Sequence, residues 1–285
     1  MVIFDCNFCQ YLLQSARKRR MCMRVCNLAS GSKGNCSYVE SDTTRLLVDI
    51  GVTAKYVVEN LTELNVLPES IDAILVTHEH SDHIKGITTF AKKYNTKILC
   101  AEVLKDCLVG QLPGCEHLIF TYSGVFEVGD LKVIPFPLSH DSVACFGYRI
   151  EDGTASVSFA TDLGYCPESV FKFIKSSAVV YLEANYDPQM LFSCSYPPFL
   201  KKRIMSNRGH LSNKDCASVA EKLAYSGTRQ IVLSHISENS NTQFLAYTTV
   251  KAYLESKGVI IGQNIRLDVA NQNQRGTIYK IKKLL

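Results

Sequence analysis

The sequence contains no run of about eighteen apolar residues, the length that a helix needs to cross a bilayer. It also lacks a linker rich in proline, glycine or serine, and it has no low-complexity tract. Hydrophobic residues make up 46% and charged residues 20% of the 285 residues, which excludes disorder as a description of the whole chain. The net charge of +4 permits an anionic partner but gives no dense basic stripe. The composition predicts a globular protein without a membrane partner, and it carries no signal for an oligomeric state.

The start of the sequence lacks the order of features that a signal peptide has. Asp5 interrupts the apolar stretch, and the basic cluster at residues 17–20 follows that stretch when it should precede it. The twelve cysteines are scattered through apolar stretches of a chain that is long enough to fold without disulfide bonds. We interpret them as buried, reduced thiols and predict a cytoplasmic location.

Residues 1–22 differ from the rest of the sequence because they are rich in cysteine and arginine and have no clear period. We interpret them as an N-terminal extension and residues 23–285 as one domain. Two explanations of the extension are open. Either translation begins at Met23 and the extension is not made, or the extension is a disordered or short helical segment on the surface.

Strand and helix patterns alternate through the domain. Residues 71–78 form a near-continuous apolar run, which is typical of a strand buried on both faces. Between residues 125 and 163 the pattern indicates several strands, joined by turns at Gly129-Asp130 and Asp152-Gly153. Helices are predicted over residues 54–64, 213–225 and 243–256. The alternation predicts a layered α/β protein with mixed sheets and helices outside.

The most informative stretch is THEHSDH at residues 77–83. Three histidines and an aspartate follow the buried strand and precede a helix. Side chains two residues apart share a face of an extended backbone, so His78 and His80 can hold one metal ion. Asp82 and His83, at the turn into the helix, can reach a second ion beside it. Imidazoles and a carboxylate suit Zn²⁺, Mn²⁺ or Fe²⁺.

This HxHxDH motif resembles that of the metallo-β-lactamase superfamily. The resemblance implies an α/β fold, an αββα sandwich of two mixed β-sheets flanked by helices. It also implies a further histidine, a bridging aspartate and a last histidine at strand ends, which PLSHD, FATDLG and VLSHIS supply. The implied ligands are His78, His80 and His140 for the first ion, Asp82, His83 and His235 for the second, and Asp162 between the two ions.

Asp49 ends the apolar segment RLLVDIG and matches the early aspartate of the superfamily. The resemblance implies that its carboxylate orients the metal loop through hydrogen bonds. The alternative is an ordinary turn residue at the end of a strand.

Two divalent cations about 3.5–4 Å apart stabilise a bridging hydroxide and hold the electrophile that it attacks. This chemistry is hydrolysis, and the metal motif alone does not choose among a lactam, a thioester and a phosphodiester. In the phosphodiesterase and nuclease branches of the superfamily, a histidine near this chain's GHLSN segment touches the scissile phosphate and protonates the leaving oxygen. The resemblance therefore implies Asp82 and His210 as catalytic residues, with His210 not needed as a metal ligand.

Polar residues near the predicted general acid and in an early glycine-containing loop are candidate substrate contacts. Arg203 adds phosphate-compatible charge, unless its basic run is a solvated face. Ser212 and the first amides of the following helix can hold a phosphate oxygen. Ser30, Ser32 and Asn35 lie in a loop expected near the metal face, unless that loop is a plain turn.

Three segments, SGSKGNCSYV at 30–39, EANYD at 183–187 and GHLSN at 209–213, resemble the WalJ/YycJ-type branch of the superfamily. That resemblance implies a DNA exonuclease, acting 5′ to 3′, with two Zn²⁺ or Mn²⁺ ions and Fe²⁺ as a further option. Two other functions are open: a small-molecule hydrolase for a thioester, a lactam or a cyclic phosphodiester, and a non-catalytic regulatory protein. A regulatory protein usually lacks one ligand, and all seven are present here.

Overall fold

The structure is a computed structural model that describes residues 22–282. Its strands are β1 Cys22–Ala29, β2 Cys36–Glu40, β3 Arg45–Val48, β4 Ala73–Leu75, β5 Lys97–Ala101, β6 Ile119–Tyr122, β7 Phe126–Val128, β8 Leu131–Leu138, β9 Cys145–Glu151, β10 Ser156–Ala160, β11 Val179–Glu183, β12 Gln230–Ser234, β13 Arg266–Val269 and β14 Ile278–Lys282. The α-helices of this part of the chain are α1 Ala54–Glu63, α2 Ser81–Ile84, α3 Ile87–Tyr94, α4 Lys105–Gln111, α5 Glu168–Ile174, α6 Pro188–Ser193, α7 Pro198–Ile204, α8 Asn213–Tyr225 and α9 Gln243–Ser256. Three short 3₁₀ helices cover Pro68–Ser70, Glu102–Leu104 and Glu116–Leu118.

The strands form two seven-stranded sheets. The order is β14-β1-β2-β3-β4-β5-β6 in the first sheet and β13-β12-β11-β10-β9-β8-β7 in the second. In the first sheet, β14, β1, β2 and β3 pair antiparallel, and β3 to β6 pair parallel. In the second sheet, β7 to β10 pair antiparallel, and β10 to β13 pair parallel. Both sheets are therefore mixed, with the same proportion of the two kinds of pairing.

The side chains of β11 alternate between two hydrophobic clusters, which lie on opposite faces of the second sheet. Val179 and Tyr181 belong to a cluster that includes side chains of the first sheet and of α1, α3 and α4. Val180 and Leu182 belong to a second cluster with α5, α8 and α9. Successive side chains of a strand point to opposite faces, so one face of β11 packs between the sheets and the other under helices. The predicted αββα sandwich is confirmed.

The structure contains most of the helices, strands and turns that the sequence predicts, with small differences in their bounds. Helices α8 and α9 have the predicted bounds, and α1 ends at Glu63 with Leu64 as its C-terminal cap. The turns predicted near residues 129 and 153 are found, with glycine in the left-handed region at both. The strand predicted over residues 71–78 is only three residues long, although all three are fully buried.

The predicted N-terminal extension, residues 1–22, lies outside the described residues except for Cys22, which begins β1. The boundary at residue 23 therefore stays a prediction. Within residues 22–282, no helix combines the length and the apolar composition that crossing a membrane requires.

Candidate metal centre

The seven predicted metal ligands converge on one edge of the sandwich, in segments that follow four of its strands. The loop after β4 and the helix α2 carry His78, His80, Asp82 and His83, and the segments after β8, β10 and β12 carry His140, Asp162 and His235. His210 lies beside them, with its ring centroid 5.0 Å from that of His140 and 5.2 Å from that of His235. Six of the seven histidines of the sequence are thus gathered here, and the seventh, His117, is exposed elsewhere.

The ligand atoms fall into the two predicted groups. His78, His80 and His140 place one ligand atom each within 4.8 Å of one another. Asp82, His83 and His235 form a second group by the same measure. The structure therefore brings together the residues that the sequence assigned to each ion.

Asp162 lies between the two groups. Its Oδ2 is 3.3 Å from Nε2 of His83, and its Oδ1 is 3.8 Å from Nε2 of His140. Together with His78 and His83 it forms a third group that could hold a metal ion. One carboxylate thus reaches members of both groups, which is the position a bridging ligand needs.

Hydrogen bonds fix the orientation of three of the imidazoles. Nδ1 of His83 donates to Oδ2 of Asp49 at 2.7 Å, and Nδ1 of His235 donates to Oε1 of Glu183 at 2.7 Å. Nδ1 of His140 donates to the Gly209 carbonyl at 3.1 Å. Carboxylate and carbonyl oxygens only accept, so the proton of each neutral ring is on Nδ1 and the Nε2 lone pair is available to a metal ion.

Several buried polar atoms of the cluster have no hydrogen-bond partner. They are Nε2 of His78, Nε2 of His235 and Oδ2 of Asp162. An unpaired buried polar atom costs about 1–3 kcal/mol, and three in one cluster need a common explanation. Divalent cations bound at the two groups would satisfy all three, so the residues present fit the metal that the sequence motif implies.

The two ligand groups differ in the electrostatic surroundings of their histidines. Burial, with the neighbouring imidazoles, lowers the pKa of His78 well below its ordinary value, and burial also lowers the pKa of His140. Burial opposes a charge on His83 as well, but the carboxylates of Asp162, Asp49 and Asp82 outweigh it and raise the pKa of His83 to about 9. His78 and His140 thus favour the neutral form, and the second group is rich in carboxylate charge, which attracts a cation.

Three site residues have left-handed backbone conformations. Asp49, Asp162 and His235 have φ values of 59°, 64° and 55°, and they make up half of the six non-glycine residues with positive φ among residues 22–282. Such a conformation costs of order 1–3 kcal/mol where a glycine is absent. Each follows a parallel strand closely, so the strain occurs where the chain leaves the sheet and turns a ligand or its support toward the cluster.

Asp49 supports the metal loop from below. Its Oδ1 accepts from the Thr77 amide at 2.8 Å, and its Oδ2 accepts from the Thr77 hydroxyl and from His83, both at 2.7 Å. The carboxylate is buried, and burial raises its pKa. These are the contacts expected of a residue that orients the loop.

The early glycine-containing loop packs directly against the metal loop. The Asn35 amide donates to the Asp82 carbonyl at 2.8 Å, and Nδ2 of Asn35 is 3.1 Å from Nε2 of His83. A Cβ atom on Gly51 would lie 1.6 Å from the Asp82 carbonyl oxygen, so only glycine allows this approach. Asn35 therefore belongs to the site, in contact with a predicted ligand.

Glu183, the last residue of β11, was not among the predicted site residues. Its Oε1 accepts from Nδ1 of His210 at 2.8 Å and from His235, and its Oε2 accepts from the amides of Leu163 and Leu211 at 3.0 and 3.1 Å. Burial opposes its charge, but the two imidazoles hold its pKa well below the ordinary value. One buried carboxylate thus links a predicted metal ligand to the predicted general acid. Two signals could have found it: its place at the end of an apolar strand, and its position as the first residue of the EANYD segment that resembles the WalJ/YycJ branch.

The candidate ligands open onto a cleft of about 190 Å³. Its lining is Ser32, His80, Asp82, His140, Asp162, Asn185, Tyr196, Leu200, Arg203, Ile204, His210, His235 and Ser237. Of the predicted substrate contacts, Ser32, Arg203 and His210 therefore lie at the cleft. Arg203 also forms a bidentate ion pair with Asp141, the residue after His140.

Ser30 and Ser212 do not reach the cleft, and here the sequence interpretation needs correction. The Ser30 hydroxyl is buried and accepts from the His235 amide at 2.8 Å. The Ser212 hydroxyl caps α8: it accepts from the Asp215 amide at 3.1 Å and donates to Oδ2 of Asp215. Both hydroxyls are therefore engaged in holding the backbone, one under a ligand and one at a helix start.

Comparison with known proteins agrees with this fold. A model of the beta-lactamase superfamily domain matches residues 44–236, so the chain belongs to the β-lactamase superfamily. Exodeoxyribonuclease WalJ of Streptococcus pneumoniae is 35% identical over 245 residues, 84% of this chain and 91% of the relative. Exodeoxyribonuclease YycJ of Bacillus anthracis is 35% identical over 239 residues, 83% of this chain and 90% of the relative. The resemblance to the WalJ/YycJ branch is confirmed.

Among solved structures, the metallo-beta-lactamase fold protein YhfI of Bacillus subtilis superposes with a TM-score of 0.69. Its sequence is 16% identical, and the match covers 91% of this chain and 99% of that protein. At this identity the likeness concerns the fold alone, and it agrees with the two-sheet architecture described above.

Replacing Asp49 by asparagine should weaken metal binding about 10- to 100-fold, the usual effect of losing a carboxylate that orients a ligand histidine. The amide can still accept from Thr77, but it removes the charge that holds His83. Competition with a chromophoric chelator measures the affinity. Asp106→Asn, at an exposed position on α4, is the matched control. Equal affinity in the Asp49 variant and the wild type would show that this carboxylate does not support the site.

Proposed function

We propose that this protein is a metal-dependent phosphodiesterase and, more specifically, a DNA exonuclease. The observation that carries the proposal is the cluster of metal ligands beside a histidine that is itself held by a buried carboxylate, Glu183. The relatives named exodeoxyribonucleases, which match this chain over about nine-tenths of their own length, support the choice of DNA.

His78, His80 and His140 would hold one divalent cation, Asp82, His83 and His235 a second, and Asp162 would contact both. Bound there, the cations would supply a nucleophilic hydroxide near neutral pH and neutralise charge on the phosphoryl oxygens. Imidazole and carboxylate ligands in this ratio suit Zn²⁺ or Mn²⁺, with Fe²⁺ as a further option. Asp82 is a ligand on the cleft wall, which accounts for its predicted catalytic role.

His210 is the residue of this chain placed to handle the leaving oxygen. Its Nδ1 donates to Glu183, so Nε2 is the atom that can give a proton to a group in the cleft. Glu183 is buried and orients the ring through this hydrogen bond, and the amides of Leu163 and Leu211 hold Glu183 in place. This arrangement provides a positioned general acid.

A phosphate-rich substrate also fits the charge around the cleft. Lys201, Lys202, Arg203 and Arg208 precede His210 within ten residues, and Arg203 lies on the cleft wall. Cations at this density favour a polyanion over a lactam or a thioester. Digestion from the 5′ end and a cytoplasmic location are parts of the same proposal, the second supported by the free state of the ten cysteines within residues 22–282.

The test is incubation of the purified, metal-analysed protein with end-labelled single- and double-stranded DNA and RNA, in Mn²⁺ or Zn²⁺. We expect mononucleotides or short products from DNA, with the label at the 5′ end released first. A chelator-treated sample is the control. Turnover of a thioester, a lactam or a cyclic nucleotide without degradation of DNA would support a small-molecule hydrolase. Inertness of the metal-loaded protein on every substrate would support a regulatory role.

A further inference from the structure

The helices α6 and α7 form a small unit of their own beside the cleft. We call residues 187–205 the α6–α7 hairpin; it comprises both helices and the four residues that join them. Leu191 and Ile204 pack with Tyr186 in a cluster separate from the two main cores. The hairpin is fastened to the body by the ion pair of Arg203 with Asp141. It is therefore a fixed structure with its own packing.

The outer surface of this hairpin carries large apolar side chains in contact with water. Phe192 is 84% exposed and Phe199 is 74% exposed, and Met205 follows at 55%. The two tyrosines of the region are not part of this exposed apolar surface. Tyr186 is buried, and the Tyr196 hydroxyl accepts a hydrogen bond from Nδ2 of Asn239 at 2.8 Å. Exposed apolar side chains grouped on one unit at the mouth of a cleft indicate a binding surface.

Cationic side chains accompany these rings. Nζ of Lys201 donates to the Phe192 carbonyl at 2.6 Å and lies 6.0 Å from the centre of the Phe192 ring. Phe199 and Lys202 are three residues apart on α7 and share a face of that helix. The hairpin contains one carboxylate, Asp187, which caps α6 by accepting from two backbone amides. The surface is therefore both aromatic and positively charged.

The same hairpin forms one wall of the metal cleft. Tyr196, Leu200, Arg203 and Ile204 line the cleft together with the candidate ligands. Arg203 is four residues after Phe199, one helical turn along α7. A strand lying on the exposed rings would therefore continue past Arg203 into the cleft.

We infer that the exposed face of the α6–α7 hairpin is a platform on which the unpaired strand of the DNA substrate stacks, with Phe192 and Phe199 against bases and Lys202 near phosphates. Phenylalanine rings beside lysines are the combination that binds single strands without reading their sequence. This inference rests on the proposed function and specifies its substrate: a single-stranded end, with the bases next to the scissile bond held outside the cleft.

The test compares Phe192→Leu/Phe199→Leu with the wild type, both metal-loaded. Leucine keeps the apolar character and removes the ring. We expect the KM for a linear oligothymidylate to rise at least about fivefold, the lower end of losing base–aromatic stacks. The kcat/KM for the p-nitrophenyl ester of thymidylate, which has no neighbouring bases, should stay unchanged. Phe192→Trp/Phe199→Trp should restore the KM for the oligonucleotide.

Phe120→Leu is the matched control, because Phe120 is 46% exposed with Nζ of Lys97 at 5.9 Å from its ring centre, yet it lies on β6 and does not line the cleft. Anisotropy of a labelled circular oligothymidylate, which has no end to digest, gives a second readout that needs no turnover. Weaker binding of the circle by the leucine variant supports the platform even if the wild type degrades no DNA, an outcome that would contradict only the proposed function. Unchanged KM and unchanged binding overturn the platform. A dimer that dissociates in the leucine variant, with DNA binding intact, would identify a second copy of the chain as the occupant.

Discussion

His80→Ala should reduce DNA hydrolysis by about 10³-fold or more, to the level of the metal-stripped protein. His80 is one of three imidazoles in the first ligand group and lies on the cleft wall. Cations of a hydrolytic centre contribute several kcal/mol of transition-state stabilisation, and each 1.36 kcal/mol is a factor of ten in rate. The measurements are the initial rate on end-labelled DNA and the metal content by elemental analysis.

His117→Ala is the control for this substitution, because His117 is the one histidine of the sequence outside the cluster, and it is exposed. Its rate and its metal content should equal those of the wild type, and circular dichroism should show that both variants are folded. A folded His80 variant that retains the wild-type rate would refute the assignment of the first group as a catalytic metal site.

His210→Ala should lower kcat on DNA by about 10²- to 10⁴-fold, the usual contribution of a positioned general acid. The metal content should stay that of the wild type. The leaving group provides the sharper measurement. Departure of p-nitrophenolate needs no proton, so the loss on the p-nitrophenyl ester of thymidylate should be far smaller than the loss on DNA. Rates on both substrates, measured on the same preparation, test this directly.

Two other results would assign His210 a different role. Its ring lies within 4.8 Å of ligand atoms of Asp162, Glu183 and His235, so loss of a metal ion in the alanine variant would make it a ligand. An equal loss of activity on DNA and on the p-nitrophenyl ester would indicate a contact with the phosphate in place of proton donation. Glu183 would then position a binding group.

That the candidate ligands of the metal loop lie together could be predicted from the sequence, because their spacing is local. His78, His80, Asp82 and His83 occupy six residues, and short-range geometry alone brings them together. The candidate ligands far from this loop in the sequence could be assigned only through the family resemblance. A lone histidine at the end of a strand does not by itself distinguish a metal ligand from a packed side chain. The structure brings His140 and His235 to the cluster, in the groups that the resemblance implied.

Glu183 could not be found in the same way. Its role depends on four donors from three separate segments, and each of those donors is placed by tertiary structure. Ser30 shows the converse difficulty. A serine in a glycine-rich loop near a metal site has the composition of a substrate contact, but the fold turns its hydroxyl toward the His235 amide.

Helices α8 and α9 were predictable because each has thirteen or more residues with a capping side chain at its start. Helices α6 and α7 have six and seven residues, and each has proline in its first turn. Helices this short give too few turns for a periodic pattern, and their prolines also fit a loop. The hairpin that borders the cleft was consequently the part of the fold least visible in the sequence.

The outermost pairing of the first sheet joins distant parts of the chain, since Cys22 lies opposite Lys282 and Val25 opposite Tyr279. Within residues 22–282, the strand that pairs with the outer edge of β1 is the last to be synthesised, so during biosynthesis this pairing forms only after residues 278–282 emerge from the ribosome. Throughout that interval a row of free backbone donors and acceptors is available to neighbouring nascent chains. Proteolytic removal of β14 from the mature protein would move the outer edge of this sheet from the five residues of β14 to the eight of β1, and so would lengthen the strand edge that another chain can pair with.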